Sequence, residues 1–257
     1  MNLFELFISA LAILGLLIGS FLNVAAIRSL AKASIVYPPS HCVHCKHRLS
    51  PWDLIPVLSY LLLGGKCRYC GQRISPVYPI GEASVALLFV WTGWHFNPLD
   101  LEWTAGLLLV SVLAVITHTD LKAMTIPDSV VFTGVALALA LRVLWHPLSF
   151  WNYAAAAAIG FALLYLLAEL SRGGMGGGDI KLYLFVGLLL GVKLTLLSLF
   201  LASIFGMVYG ISASLLDPQK RRKPIPFGPF IAAGSFLSFL YGDTWVDSYL
   251  NLFAGSI

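Results

Sequence analysis

Long apolar runs are the feature that most constrains this chain, because several of them exceed the roughly 18 residues that mark a membrane span. Hydrophobic residues make up 59% of its 257 residues and charged residues only 11%, against about 25% charged in an ordinary soluble domain. A soluble fold of this length could not cover its surface with so few charges. The chain is therefore predicted to be an all-α polytopic membrane protein.

Apolar runs and helix breakers predict about eight membrane-spanning helices, the sixth of them short enough to dip into the bilayer or tilt against its neighbours. The first run lacks a preceding basic region and is followed by Arg28 and Lys32. This pattern indicates a retained span with its N-terminus outside, not a cleaved signal. The predicted spans cover residues 6–27, 78–95, 103–119, 129–146, 150–170, 180–192, 194–216 and 227–242.

Basic residues are spread very unevenly along the chain. If the N-terminus lies outside, four loops and their edges lie in the cytoplasm and carry all but two of the 16 basic residues, leaving Arg142 and Lys193 outside. This excess matches the positive-inside rule, and the opposite orientation would invert it. Because the basic residues flank apolar spans, membrane lipids are expected as partners and nucleic acid is not. The cytoplasmic loops are predicted at 28–77, 120–128, 171–180 and 217–226.

Two of these loops differ from ordinary span connections. Segment 28–77 is long, polar and cysteine-bearing, and could form a small cytoplasmic domain. Segment 171–178 is rich in glycine, which allows a flexible hinge and a close approach of its backbone to another element. The chain is accordingly divided into a first span at 1–27, a cytoplasmic loop region at 28–77 and the remaining transmembrane region at 78–257.

The four cysteines of the chain form two Cys-x-x-Cys pairs, Cys42 with Cys45 and Cys67 with Cys70. Two such pairs supply four thiolates, which is a complete tetrahedral shell for a structural zinc ion. The alternative is a pair of disulfides, but these rarely persist in the reducing cytosol, where the charge distribution places this loop. Zinc would fold a segment that has too few apolar residues to build its own core.

Three aspartates lie at the predicted cytoplasmic membrane boundary. Asp128 follows Pro127 and is expected to cap the N-terminus of the fourth span. Asp179 follows a run of glycines and could also be an N-cap. Asp120 is different, because it ends a span, where the helix dipole disfavours a negative charge.

Asp120 and Asp179 could instead work together as a pair. Two carboxyl groups within hydrogen-bond range cannot easily both ionise and share one proton. The ionised group can then activate water as a general base, while the protonated one polarises a peptide carbonyl. Glycines beside Asp179 would let backbone and substrate come close.

Two further carboxylates, Glu82 and Glu169, lie near span ends. They are expected to extend toward water or to pair with Arg73 and Arg172. No chemical role is assigned to them.

Taken in order along the chain, several short motifs resemble those of the prepilin peptidases, also called type IV leader peptidases. The resemblance covers nearly the whole chain, and the pieces together are far more specific than a lone Gly-x-Gly-Asp. They are residues 19–24 (GSFLNV), the paired cysteines, 78–82 (YPIGE), Asp120, 126–128 (IPD), 176–181 (GGGDIK) and 226–230 (PFGPF).

The resemblance implies a membrane aspartyl protease of the Gly-x-Gly-Asp type, with Asp120 and Asp179 as the catalytic pair. Such enzymes cleave type IV prepilins or pseudopilins after a glycine, at the cytoplasmic face of the bacterial inner membrane. Many also methylate the new N-terminal residue with S-adenosylmethionine, for which no residues of this chain can be assigned. The resemblance places four residues in support of the active site, Gly176, Gly178, Asp128 and Lys181.

Two alternatives remain open at this stage. A presenilin-like protease would share Gly-x-Gly-Asp, but is not expected to carry the four-cysteine loop. A transporter or channel with a zinc-sensing loop would also suit aspartates at the membrane rim and broken helices. The oligomeric state, the particular pilin and the setting of pilus assembly, secretion or DNA uptake do not follow from the sequence.

Overall fold

A computed structural model of the chain describes residues 2–171, 175–216 and 225–254. Within these ranges it consists of helices and loops, and the only β-pairing is two isolated bridges in the cysteine loop. Residues 172–174 of the glycine-rich loop and the basic run 220–223 lie outside the described residues. The helices are α1 (Leu3–Leu30), α2 (Leu58–Leu62), α3 (Val77–His95), α4 (Glu102–Ala123), α5 (Asp128–Leu144), α6 (Phe150–Leu170), α7 (Gly177–Leu216) and α8 (Gly228–Ala254), with a short 3₁₀ turn at Pro51–Leu54.

The predicted all-α fold is confirmed. Every predicted span overlaps one of the long helices, and four of these helices, α1, α4, α6 and α7, are long and apolar enough to cross a membrane. The chain is therefore a membrane protein, while the count of eight spans stays a prediction. The described chain forms two compact units, Met1–Trp103 and Thr104–Ile257, and the division into three regions by membrane topology also stays a prediction.

In the first unit, α1 packs closely against α3 through two glycines spaced four residues apart. A methyl group added at Gly15 would lie 2.5 Å from the Cα atom of Ala86, and one at Gly19 would lie 2.9 Å from the Cα atom of Glu82. Such small-residue spacing lets two membrane helices approach each other where lipid supplies no hydrophobic driving force. The contact holds together the two helices that flank the cysteine loop.

The cysteine loop is tied to α3 by a buried carboxylate. Glu82 is buried and accepts a hydrogen bond of 2.7 Å from the backbone N–H of Val57. Val57 has a φ of 59°, a conformation that β-branched residues rarely adopt. The expectation that Glu82 extends toward water or pairs with Arg73 is therefore wrong, because its side chain holds the backbone at the start of α2.

In the second unit, α7 packs against α5, α6 and α8 and folds back on itself at Gly191. Gly191 has a φ of 75° and a ψ of 171°, a combination open essentially only to glycine. The hydroxyl of Ser198 lies 3.4 Å from that of Tyr183. These residues could not meet along a straight helix, since 15 residues of helix span about 22 Å. The two limbs, 177–190 and 192–216, are therefore antiparallel, which agrees with the predicted break between the sixth and seventh spans.

Candidate active site and metal centre

Asp120 lies in the last turn of α4 with only 6% of its surface exposed. Its Oδ2 atom accepts a buried hydrogen bond of 2.7 Å from the backbone N–H of Gly228, the first residue of α8. The unfavourable position of a carboxylate at the C-terminus of α4 is thus offset by the N-terminus of another helix, where N–H groups are available to anions. This contact explains how the chain tolerates a buried acid at that point.

Asp179 lies in the first turn of α7 and is 8% exposed. The helix begins at Gly177 and not at Asp179, so Asp179 is not the N-cap residue. A Cβ atom at Gly178 would lie 2.7 Å from the Cβ atom of Ile126, in the loop between α4 and α5. The absence of a side chain at Gly178 therefore lets the start of α7 approach the loop between α4 and α5.

The structure brings Asp120 and Asp179 close enough for the charge of one to act on the other. They belong to different helices and are 59 positions apart in the chain, yet both are buried in the second unit. Tyr183, one turn after Asp179 and fully buried, also interacts electrostatically with it. Two buried carboxyl groups within electrostatic range of each other are unfavourable when both are charged, so one of them is favoured to keep its proton, as a general acid and a general base acting together require.

Asp128 and Lys181 form an ion pair, and this corrects the expectation that Asp128 is an N-cap. Helix α5 begins at Asp128, and its N-cap is Pro127, which makes no side-chain hydrogen bond. The Nζ atom of Lys181 instead donates to both carboxylate oxygens of Asp128 at 2.9 Å. The pair joins the N-terminal parts of α5 and α7. Because it is largely exposed, it contributes little to stability.

The sequence singled out the segment 226–230 without giving any of its residues a role, and so missed Gly228. A Cβ atom there would lie 2.9 Å from the Oδ2 atom of Asp120 and 3.1 Å from its Cβ atom. A glycine between two prolines, opening an apolar run, was the only local signal. Nothing in that signal pointed to Asp120, because 108 positions separate the two residues.

The four cysteines converge in the first unit and could hold a metal ion. Their Sγ atoms all lie within 4.8 Å of one another, and those of Cys42 and Cys70 are 3.9 Å apart. Tetrahedral zinc, with zinc–sulfur bonds of about 2.3 Å, places its sulfur ligands about 3.8 Å apart. The backbone N–H of Cys45 is the main cause of a lowered pKa of about 6 at the Cys42 thiol. The donor set therefore fits a thiolate metal site.

Comparison with protein families matches the chain in two consecutive parts. Residues 13–96 match the bacterial peptidase A24 N-terminal domain. Residues 107–211, which include both Asp120 and Asp179, match the type IV leader peptidase family. The first matched region lies within the first compact unit, which ends at Trp103, and the second lies within the second unit.

Whole-chain comparisons find relatives named prepilin leader peptidase/N-methyltransferase. One from Bacillus subtilis (strain 168) is 40% identical over 250 residues, which cover 96% of this chain and 100% of the relative. One from Pseudomonas aeruginosa is 33% identical and covers 97% of this chain and 95% of the relative. One from Stutzerimonas stutzeri is 32% identical, covering 95% and 94%. No solved structure matches the chain significantly.

Proposed function

Because this chain belongs to the type IV leader peptidase family, we propose that it cleaves the leader peptide of a type IV prepilin or pseudopilin and then N-methylates the new N-terminus. The single observation that supports the peptidase half is that two buried carboxyl groups from separate helices, Asp120 and Asp179, lie within electrostatic range of each other. The relatives' match along nearly the whole chain favours this function over a presenilin-like protease or a transporter.

In the proposed cleavage, the pair Asp120 and Asp179 shares one proton and activates a water molecule. The ionised carboxylate takes a proton from the water molecule while the water oxygen attacks the peptide carbonyl carbon. The protonated carboxyl group donates its proton to the carbonyl oxygen. The carbon–nitrogen bond then breaks as the leaving nitrogen receives the proton that the first carboxylate took from the water. The carbonyl group re-forms and returns a proton to the second carboxylate, which restores the pair. The reaction yields the leader, ending in glycine, and a mature pilin with a free N-terminal amine.

The second step is transfer of a methyl group to that amine. S-adenosylmethionine supplies a methyl group activated by its positive sulfur. A bond forms between the terminal nitrogen and the methyl carbon, the carbon–sulfur bond breaks with its electron pair going to sulfur, and the nitrogen loses one proton to water. The relatives' names include this activity.

Zinc is the metal that best suits the four-cysteine cluster, since four thiolates form the closed shell of a structural site. We propose that the protein lies in the bacterial inner membrane with its N-terminus outside. The cysteine loop and the aspartate pair would then lie at the cytoplasmic side, where most of the basic residues are predicted. A prepilin would present its basic leader and its apolar helix at that same face.

The decisive experiment incubates a prepilin with the purified protein in detergent or lipid nanodiscs and follows release of the leader. Asp120→Asn and Asp179→Asn keep the size of each side chain while removing its acid–base function. Each should lower the cleavage rate by at least about a hundred-fold. Asp243→Asn is the matched control, because Asp243 is a well-exposed residue of α8 paired with Lys193, and it should cleave normally.

Mass spectrometry of the mature pilin tests the second activity. With S-adenosylmethionine present, the product should gain one methyl group on its N-terminal nitrogen.

Full cleavage by either aspartate variant would remove that residue from the mechanism. A product that is cleaved but never methylated would overturn the transferase half alone.

A further inference from the structure

The cysteine loop of the first unit forms a half-open cavity of about 430 Å³. It lies between the 3₁₀ turn, α2 and the second pair of cysteines. Its volume is in the range of about 300–1,000 Å³ that is usual for small-molecule sites. The lining residues that matter here are Trp52, Leu58 and Leu62, which are apolar, and Ser50, Ser59 and Arg68, which are polar.

A buried carboxylate organises the polar edge of this cavity. The side chain of Asp53 is only 4% exposed and accepts a hydrogen bond of 2.7 Å from Nε of Arg68. It also accepts from the hydroxyl groups of Ser50, at 2.8 Å, and Tyr69, at 3.2 Å. Desolvation raises the pKa of Asp53, but these hydrogen bonds together lower it to about 2. The carboxylate is therefore charged at neutral pH and holds Arg68 in place.

Arg68 retains most of its hydrogen-bonding capacity for a ligand. A guanidinium group has five N–H donors, and the Nε–H group is the one engaged by Asp53. Its side chain is 49% exposed and lines the cavity. The remaining N–H groups can form the paired hydrogen bonds that guanidinium makes with a carboxylate.

The four-cysteine cluster supports the same edge. Arg68 and Tyr69 are the two residues between Cys67 and Cys70, so a metal held by those cysteines fixes the backbone that carries them. The ring of Tyr69 lies against that of His47, which follows the first cysteine pair, with centroids 3.7 Å apart. The four-cysteine cluster thus stabilises the wall of a cavity as well as the fold of the loop.

We propose that this cavity is the binding site for the methyl donor S-adenosylmethionine. Trp52, Leu58 and Leu62 would cover the flat purine ring, since aromatic and aliphatic walls favour such a group. Arg68 would bind the carboxylate of the methionine part, and the hydroxyl groups of Ser50 and Ser59 suit the ribose hydroxyl groups. This assignment rests on the transferase half of the proposed function. It puts the donor in the region matched by the N-terminal family model, outside the region matched as the peptidase.

The test measures binding of radiolabelled S-adenosylmethionine to the purified full-length protein by equilibrium dialysis. Arg68→Ala should weaken binding by about ten- to a hundred-fold, because a hydrogen-bonded charge pair is lost. Arg68→Lys should weaken it less, since the charge remains but the paired geometry does not. Arg73→Ala is the matched control, because Arg73 lies in the same loop and does not line the cavity.

A second variant removes the ambiguity that Arg68→Ala could disturb the fold of the loop. Ser59→Phe fills the cavity and leaves the contact between Asp53 and Arg68 in place, and it should also abolish donor binding. Metal content and the rate of leader cleavage should stay normal in each variant, which would show that the loop and the peptidase site are intact. Donor binding unchanged in both variants would overturn the site.

Wild-type controls separate this inference from the proposed function. If the wild-type protein methylates pilin and binds the donor, but the cavity variants bind it equally well, only the site is wrong. If the wild-type protein neither binds the donor nor methylates, both fail.

Trp52 is 74% exposed, so its fluorescence should also be measured with brominated lipids. Strong quenching that saturating donor does not relieve would identify the cavity as a lipid contact and overturn the proposal.

Discussion

At the residue scale, the buried carboxylate of Asp120 depends on a backbone group from a distant part of the chain. The N–H of Gly228 supplies its hydrogen bond, and only a residue without a side chain leaves room for Asp120 at that distance. Gly178 has a similar effect on Asp179, because it lets the start of α7 approach Ile126. Two glycines therefore position the two carboxyl groups without taking part in the chemistry.

Gly228→Ala should lower kcat for leader cleavage at least tenfold while changing KM little. The added methyl group would lie 2.9 Å from Oδ2 of Asp120 and would displace the carboxylate, and small misplacements of catalytic groups are costly. Steady-state kinetics with a prepilin substrate checks this. Gly210→Ala is the control, since among the described residues its added methyl group meets only Ile225, at 3.5 Å. Equal kcat values for the two variants would contradict the positioning role.

Gly178→Ala should also impair cleavage, and a second substitution should partly restore it. The new Cβ atom would lie 2.7 Å from the Cβ atom of Ile126, and a Cβ atom cannot rotate away from its backbone. Ile126→Gly removes the obstructing atom, so the double variant should cleave faster than Gly178→Ala alone. Cleavage assays on the wild-type protein, the two single variants and the double variant form a double-mutant cycle. A double variant slower than both would show that the contact between these residues is not the cause.

At the element scale, α7 is an antiparallel pair of helical limbs that turn at Gly191. A break in a helix leaves backbone groups without helical partners, and these must find others within the protein. The side chain of Asn152 accepts from the backbone N–H of Val192 at 3.0 Å, and Arg142 donates to the carbonyl of Leu189. The fold-back places Asp179 at the opposite end of the short limb from this turn.

Gly191→Ala should lower the free energy of unfolding by about 1–3 kcal/mol, the cost of holding a non-glycine residue in this backbone conformation. The added Cβ atom would also lie 2.6 Å from Oδ1 of Asn152. Unfolding in mixed detergent and SDS, followed by circular dichroism, provides the measurement. Gly177→Ala lies in the first turn of the same helix, where the added Cβ atom has no described atom within 4 Å, and it should change stability much less. A smaller loss for Gly191→Ala than for Gly177→Ala would contradict the structure of the turn.

At the scale of the whole molecule, the chain has two compact units, each matched by its own family model. The second contains the two aspartates, and the first contains the cysteine cluster and the cavity beside it. The loop in the first unit has little regular structure, with one 3₁₀ turn and the five-residue helix α2. Its order therefore depends on the metal that we propose at the four cysteines.

Metal removal should loosen the cysteine loop selectively. Freshly purified, reduced protein should contain one zinc ion per chain, and a strong chelator or Cys67→Ser should release it. Hydrogen exchange in segment 40–74 should then rise, because the metal replaces the apolar core that this segment lacks. Exchange in α1 and α3, which pack through Gly15 and Gly19, should change little. Absence of zinc from the reduced protein would contradict the metal assignment.

Much of this architecture could be predicted from the sequence. Each predicted span overlaps a helix, and the break inside α7 lies one residue before the expected end of the sixth span. The sequence also predicts the pairing of Asp120 with Asp179, because an acid at a helix C-terminus needs an explanation beyond capping. The roles expected for Asp128 and Glu82 were wrong for one reason. Each was judged from its chain neighbours, whereas its partner, Lys181 or Val57, lies 53 or 25 positions away.

By itself the sequence determined the membrane class, the helical segments, the spacing of the cysteines and the motifs of the family. These are properties of consecutive residues, since the length of an apolar run and a Cys-x-x-Cys spacing can be read directly along the chain. Only the tertiary structure decided that the backbone N–H of Gly228 donates a hydrogen bond to Asp120 and that the N–H of Val57 donates one to Glu82. It also decided that Arg68 lies at the edge of a cavity. Helices that are apolar on all sides do not reveal which face meets which neighbour, because lipid and protein surroundings favour the same side chains.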